Sequence, residues 1–233
     1  MISLKLGKTT FLFLFKTLSL SCRLPHQLYV FLTLESAAYP DIDLASWDNF
    51  FNITMTYRTD SDVFMPYGRV VQNDQIIKSE PDQDLSDKKY LAAWLVSNCH
   101  TQSRREDLIE DLKKYLPTDS IHIYGKCGSR KCPGKSQDER DVCWEMLEKN
   151  YKFYLALENS ICPDYVTEKM YEALKHNIVP VVFGGSDYKA IFPKDSFIDM
   201  MDFKNVSSLA DYLGSFYTNI FISYIDKLLL QSN

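Results

Sequence analysis

Residues 151–185, YKFYLALENSICPDYVTEKMYEALKHNIVPVVFGG, restrict the fold more than any other part of the chain. Residues 151–157 form an aromatic and aliphatic run of strand length that breaks off at Glu158, Asn159 and Ser160. Asp164 offers a cap for a helix with Val166, Met170, Ala173 and Leu174 on one face. His176 and Asn177 end that helix, and residues 180–183 resume a buried strand that closes in Gly184 and Gly185. Such a βαβ unit sets its polar turn and helix N-terminus at the carboxyl edge of a parallel sheet, where ligands bind. Glu168 and Lys169 fall in or just past the first turn, beside the place where an anion docks. A nucleotide site is the leading expectation.

Other properties narrow the field. At 233 residues the chain holds one large domain or two small ones, and its net charge of −5 argues against a general nucleic-acid binder. An anionic substrate must therefore meet a local basic cluster. Only 8 glycines are present and no GxGxxG, so the ordinary dinucleotide fingerprint is missing. The cysteines are Cys22, Cys99, Cys127, Cys132, Cys143 and Cys162, and two glycosylation sequons begin at Asn52 and Asn205. Together they lean towards a secretory compartment. Buried free thiols are an alternative. Zinc held by Cys127 and Cys132 is another, although no second pair at finger spacing follows.

Residues 10–22 contain the apolar run 11–15, then Lys16, then 17–20. This is too short and too interrupted to span a bilayer, and it fits a weak signal segment after Lys5 and Lys8 or a buried strand. Residues 28–34 read as a buried strand ending at Glu35 and Ser36, and 52–57 as an alternating strand ending in Arg58, Thr59, Asp60, Ser61 and Asp62. The acidic stretch 74–87 reads as a solvated linker and marks a domain boundary. Strands at 91–96 and 120–124 then alternate with helices at 104–116, capped by Ser103, and at 141–149. After the opening unit come a strand near 197–198 and a helix over 207–213. Alternation of this kind implies an open parallel α/β sheet.

Three polar groups fall at strand ends in this second half: Ser97 and Asn98 with Arg104 and Arg105; Tyr124, Gly125 and Lys126; Glu158 and Asn159 with Glu168 and Lys169. Parallel strands bring these together, and arginine, lysine and a ribose-binding carboxylate suit a nucleoside diphosphate such as a sugar nucleotide. From spacing alone, Glu168 and Lys169 also read as a solvated helix face, and the two arginines as surface ion pairs with Glu106 or Asp107. Asp60 and Asp62 form a D-x-D that suits a hard cation in a metal-dependent transferase, or simply an Asp-rich turn. Glu35, if partly desolvated at its strand end, suits a general base.

At these residues the chain resembles the α-1,3-fucosyltransferases of glycosyltransferase family 10. The run FYLALENSICPDYVTEKMYEAL is similar to that family's donor-binding signature, NITMTYRTDSDVFMPYG to its second hallmark, and LVSNCHTQSRR to a third. GKCGSRKCPG is most similar to invertebrate and plant members that modify the core of N-glycans. The resemblance implies a GT-B-like α/β architecture, with one near-complete Rossmann-like donor domain and a partial N-terminal acceptor domain. On that basis 1–22 is an apolar leader of uncertain role, 23–88 the acceptor-domain remnant with its linker, 89–213 the GDP-fucose domain and 214–233 an atypical tail.

By motif position, Glu35 would be the general base, Arg105 and Lys169 would face the diphosphate and Glu168 the ribose. Tyr154, Asn159 and Tyr165 would line the donor pocket, Ser97 and Asn98 would lie beside the guanine nucleotide, and Tyr67 and Gly68 would reach the donor. The family's DSD is not a metal-carrying motif, so no cofactor is expected beyond stimulation of some members by Mn or Mg. Partners implied are GDP-fucose and an N-glycan or other GlcNAc-containing acceptor in the Golgi lumen. The family's membrane anchor is not recognised in this chain. Only 34 residues precede Glu35, so much of the acceptor domain is expected to be missing, with uncovered sheet edges and poor solubility.

Overall fold

A computed structural model describes residues 2–6, 9–13, 27–38, 47–71, 87–132, 137–216 and 230–231, with side chains assigned outside 2–13, 137–140 and 230–231. Two five-stranded sheets make up its framework. The first runs in the order β1 (Ile2–Leu6), β2 (Thr9–Phe13), β3 (Gln27–Thr33), β4 (Ile53–Thr56), β5 (Val63–Phe64). Its β1–β2 pair is antiparallel and the remaining pairs are parallel. Part of the apolar run near the N-terminus is thus a strand. A ring cluster of Tyr29, Phe31, Trp47, Phe50 and Phe51 packs on β3. The linker at 74–86, Cys22, and the tail except 214–216 and 230–231 lie outside the described residues.

The second sheet is wholly parallel. Its strands are β7 (Tyr90–Leu95), β8 (Ile121–Tyr124), β9 (Tyr151–Leu157), β10 (Val179–Phe183) and β11 (Ile198–Asp199), in the order β11-β10-β9-β7-β8. All seven residues of β9 are buried, as expected of a central strand covered on both faces. On one face α1 (Arg105–Lys113) and α5 (Val206–Ser215) pack Ile109, Leu112, Leu209 and Leu213 against Leu91, Phe153 and Val181. On the other, α2 (Gln137–Asn150), α3 (Glu168–Lys175) and α4 (Tyr188–Ile191) pack Leu147, Met170, Ala173 and Tyr188 against Tyr154, Ala156 and Val182. Two short strands, β6 (Arg69–Val70) and β12 (Leu230–Gln231), pair antiparallel beside this layer. Among the described residues no helix is long and apolar enough to cross a membrane.

The chain lays β8 on one side of β7 and β9 on the other, so the strand order reverses between β7 and β9. That switch point opens a crevice at the carboxyl edge, because the connections from neighbouring strands leave in opposite directions.

Two helix starts differ from the sequence reading. Helix α3 begins at Glu168 with Thr167 as its N-cap residue, and Asp164, with φ of 62°, instead accepts hydrogen bonds from the Thr59 amide and hydroxyl at 3.1 and 2.8 Å. Helix α1 begins at Arg105 after Arg104 in the left-handed region, and Ser103 donates its hydroxyl to the Glu158 carbonyl at 2.7 Å. In both places a long-range partner captures the side chain that local propensity assigns to capping. Helix α2 starts earlier than expected and runs directly into β9.

Candidate active site

The facing edges of the two sheets are clasped together. The Ser36 hydroxyl donates to Ser160 Oγ at 2.5 Å, Tyr67 donates its hydroxyl to the Leu34 carbonyl at 2.7 Å, and the Tyr57 and Tyr165 rings meet at 4.9 Å. Beside this clasp a cavity of about 340 Å³ sits at the switch point. Glu35 and Tyr67 line it from the first sheet; Ser97, Asn98, Arg105, Asn159, Tyr165, Thr167, Glu168 and Lys169 line it from the second. A larger cavity of about 770 Å³ adjoins it and shares the wall of Leu95, Val96, Ser97, Glu168 and Lys169. Tyr124, Gly125, Lys126, Lys131, Trp144 and Tyr154 line that second space.

The structure therefore brings together the strand-end groups that the sequence marks out, with Tyr154 on the larger cavity. Gly68 lies off both. A Cβ there would come within 2.5 Å of the Tyr171 ring, so glycine lets the loop after β5 close against α3. Gly125 is needed for a different reason: its φ is 98°, and a side chain would strike the Val96 carbonyl oxygen at 2.4 Å.

Burial separates the charged residues. Glu35 is exposed on the rim, so the partial desolvation that would favour a general base is not present in this arrangement, and its amide is bonded to Thr33 Oγ1 at 3.1 Å. Glu168 is also exposed. Lys169 is not on a solvated helix face: its ammonium donates to Thr167 Oγ1 at 2.6 Å and to Glu158 at 3.2 Å. Arg105 is 3% exposed and forms part of the cavity floor, donating to the carbonyls of Leu157 and Asn98 and resting on the Trp94 ring. Its fork is used by backbone at the ends of β9 and β7, so it acts as a buried positive charge at the crevice. Arg104 alone fits the surface-pair reading, bound to Asp107 at 2.6 Å.

The phenols of Tyr67, Tyr154 and Tyr165 are pushed well above the ordinary tyrosine range by burial, with nearby carboxylates acting in the same direction. They stay protonated at neutral pH, and Tyr67 gives its single proton to the Leu34 carbonyl. Burial also raises the pKa of Glu158, against the pull of Lys169 and the bonds from Thr167. Sequence reading placed Glu158 among the polar strand ends, not as a fully buried group, and missed Thr167. A Thr directly before a helix is an N-cap signal that could have found it.

The structure decides among the cysteine alternatives. Cys99 pairs with Cys127 and Cys132 with Cys143, so Cys127 and Cys132 are partners neither of each other nor of zinc. The Asp60 carboxylate is held by Arg58 at 2.6 and 2.7 Å, and Asp62 accepts from the Thr54 amide and hydroxyl at 2.7 and 2.8 Å. The two therefore serve as turn-forming groups with separate partners, and no cluster of three or more metal-binding side chains occurs among the described residues.

Residues 85–224 match the model of the C-terminal part of glycosyltransferase family 10 (fucosyltransferase), and residues 8–68 match the fucosyltransferase N-terminal model. The chain belongs to glycosyltransferase family 10. Within that fucosyltransferase family it is 41% identical over 211 residues to α-(1,3)-fucosyltransferase C of Drosophila melanogaster, covering 83% of this chain and 48% of that one. Against α-(1,3)-fucosyltransferase fut-1 of Caenorhabditis elegans the figures are 37% over 203 residues, 84% and 44%. The chain spans about half the length of these fucosyltransferases. A crystal structure of an α1,3-fucosyltransferase with GDP-fucose aligns with a TM-score of 0.56 at 18% identity, covering 87% of this chain and 69% of that one. The shared fold is the GT-B-like α/β arrangement expected from the sequence.

Proposed function

We propose that this chain carries the donor site of an inverting, GDP-fucose-dependent transferase that forms an α-1,3 linkage to a GlcNAc hydroxyl of a glycoprotein glycan. One observation carries the reading: a cavity at the switch point is lined both by a carboxylate of the first sheet, Glu35, and by a cation at the start of α3, Lys169. The relatives named above are α-(1,3)-fucosyltransferases, which supports the choice of donor and linkage.

In this reading Glu35 takes the proton from the acceptor hydroxyl as its oxygen attacks the anomeric carbon of fucose. The bond to the β-phosphate oxygen breaks in the same displacement, through an oxocarbenium-like transition state, and its electron pair leaves with GDP. Lys169 meets the charge growing on the departing diphosphate directly, and Arg105 contributes from beneath. Glu168 holds the ribose, and the neutral phenols of Tyr67 and Tyr165 line the pocket around the sugar. Asp60 and Asp62 have no part in the transfer. The two disulfides support an oxidising, lumenal compartment such as the Golgi, with an acceptor presented on secreted glycoprotein.

Calorimetry with GDP, GDP-fucose and other sugar nucleotides tests the assignment. GDP-fucose should bind in preference to the others, and Lys169→Ala should weaken GDP binding by about tenfold or more. Glu35→Ala should leave GDP affinity intact while turnover disappears. A preference for another nucleotide, unchanged affinity in the lysine variant, or turnover without Glu35 would each sink the corresponding role.

A further inference from the structure

We propose that Glu158 is the positioning residue for this site: a carboxylate out of reach of any ligand that sets the anion-binding lysine and the start of α3 in one arrangement. The inference rests on the donor reading above and assigns a residue behind it. Glu158 is 1% exposed at the end of β9 and lines neither cavity. Its backbone is fixed on both sides, the amide donating to the Phe183 carbonyl at 2.9 Å and the carbonyl accepting from Ser103 Oγ at 2.7 Å. The position of its side chain is therefore set by strands β9 and β10 and by the loop before α1.

From that fixed point the carboxylate reaches three groups of the neighbouring turn. Oε1 accepts from the Thr167 amide at 2.8 Å, the Thr167 hydroxyl lies 3.0 and 2.9 Å from the two oxygens, and Oε2 accepts from Lys169 Nζ at 3.2 Å. A threonine hydroxyl has one proton to give. It gives that proton to Glu158 and accepts from Lys169 Nζ at 2.6 Å, so the three residues form a directed chain, Lys169 to Thr167 to Glu158. The lysine side chain is 16% exposed and lines the cavity; its ammonium is tied to Thr167 and Glu158 on the inner side and meets Glu168 Oε1 more loosely, at 3.4 Å, on the outer. A long, flexible cation held in this way loses little further freedom when an anion arrives, which is how a supporting residue raises affinity without touching the ligand.

A double-mutant cycle on GDP binding separates positioning from mere support of the fold. Glu158→Gln keeps an acceptor for the Thr167 amide and removes the charge that anchors Lys169; GDP affinity should fall about tenfold. In the Lys169→Ala background the same substitution should change affinity less than about twofold, because the group it acts through is gone. A general loss of structure would instead weaken binding equally in both backgrounds. Thr167→Val, close in shape but without the hydroxyl, gives a second reading should Glu158→Gln fail to fold. It should cost about threefold, and that cost too should vanish without Lys169. Affinity unchanged or improved with Lys169 present, or an equal loss in both backgrounds, would overturn the proposal. Absence of GDP binding in the unsubstituted chain would show before any variant is made and would remove the donor reading itself.

Discussion

Thr101 and Glu106 fix the loop that carries Ser97 and Asn98 into α1. Glu106 accepts from the Thr101 amide and hydroxyl, both at 2.7 Å, which holds the turn before the helix closed. Burial pushes this carboxyl up, yet the bonds from Thr101 and the nearby Arg105 outweigh it and leave its pKa below the ordinary value of 4.5. A depressed carboxylate stabilises the fold above its unfolded pKa and loses that contribution as pH falls through the folded value. Glu106→Gln should therefore lower stability at pH 7 by about 1 kcal/mol, and the deficit should shrink as pH drops below 4.5. Thermal melts of both proteins across that range would check it; a deficit that grows in acid would contradict it. At this scale sequence shows which residues are polar at strand ends. It does not show which of them the fold withdraws from water: Glu35 and Glu158 read alike, and one is exposed while the other is buried.

Among the elements, the strand–turn–helix–strand unit at the centre was legible because its seven-residue apolar run and the amphipathic α3 have different periods. Cap assignments at Asp164 and Ser103 failed because each side chain has a partner far away in sequence, Thr59 and the Glu158 carbonyl. Cysteine pairing was not legible for the same reason: Cys127 and Cys132 are nearest in sequence, whereas the loops after β7 and β8 bring Cys99 to Cys127. That bridge joins two neighbouring strand ends at the crevice and closes a separation of 28 residues. Closure of a loop this size restricts the unfolded chain by about 3–4 kcal/mol. Replacing both Cys99 and Cys127 by Ala should cost a comparable amount in urea unfolding without reductant. A loss below about 1 kcal/mol would mean that the unfolded chain keeps those loops together anyway.

For the molecule as a whole, alternation of strands and helices after residue 89 announces a parallel sheet, but nothing local announces how the two sheets face each other. That relation depends on contacts such as Ser36 with Ser160 and Thr59 with Asp164. A ligand between the sheets should stabilise them as one unit. GDP at a hundred times its dissociation constant contributes about 2.7 kcal/mol, which for a chain of this size raises the melting temperature by roughly 5–10 °C. Differential scanning should show one transition moving; two transitions of which one alone moves would mean that the sheets melt independently. The clasp also bears on how the protein is made. Ser36 and Ser160 are 124 positions apart, and at typical synthesis rates the second follows the first by roughly 6–25 s. For that interval the newly made first sheet presents Glu35 and its neighbours to a surface that does not yet exist, so the candidate site can be completed only after β9 and the turn that follows it have been made.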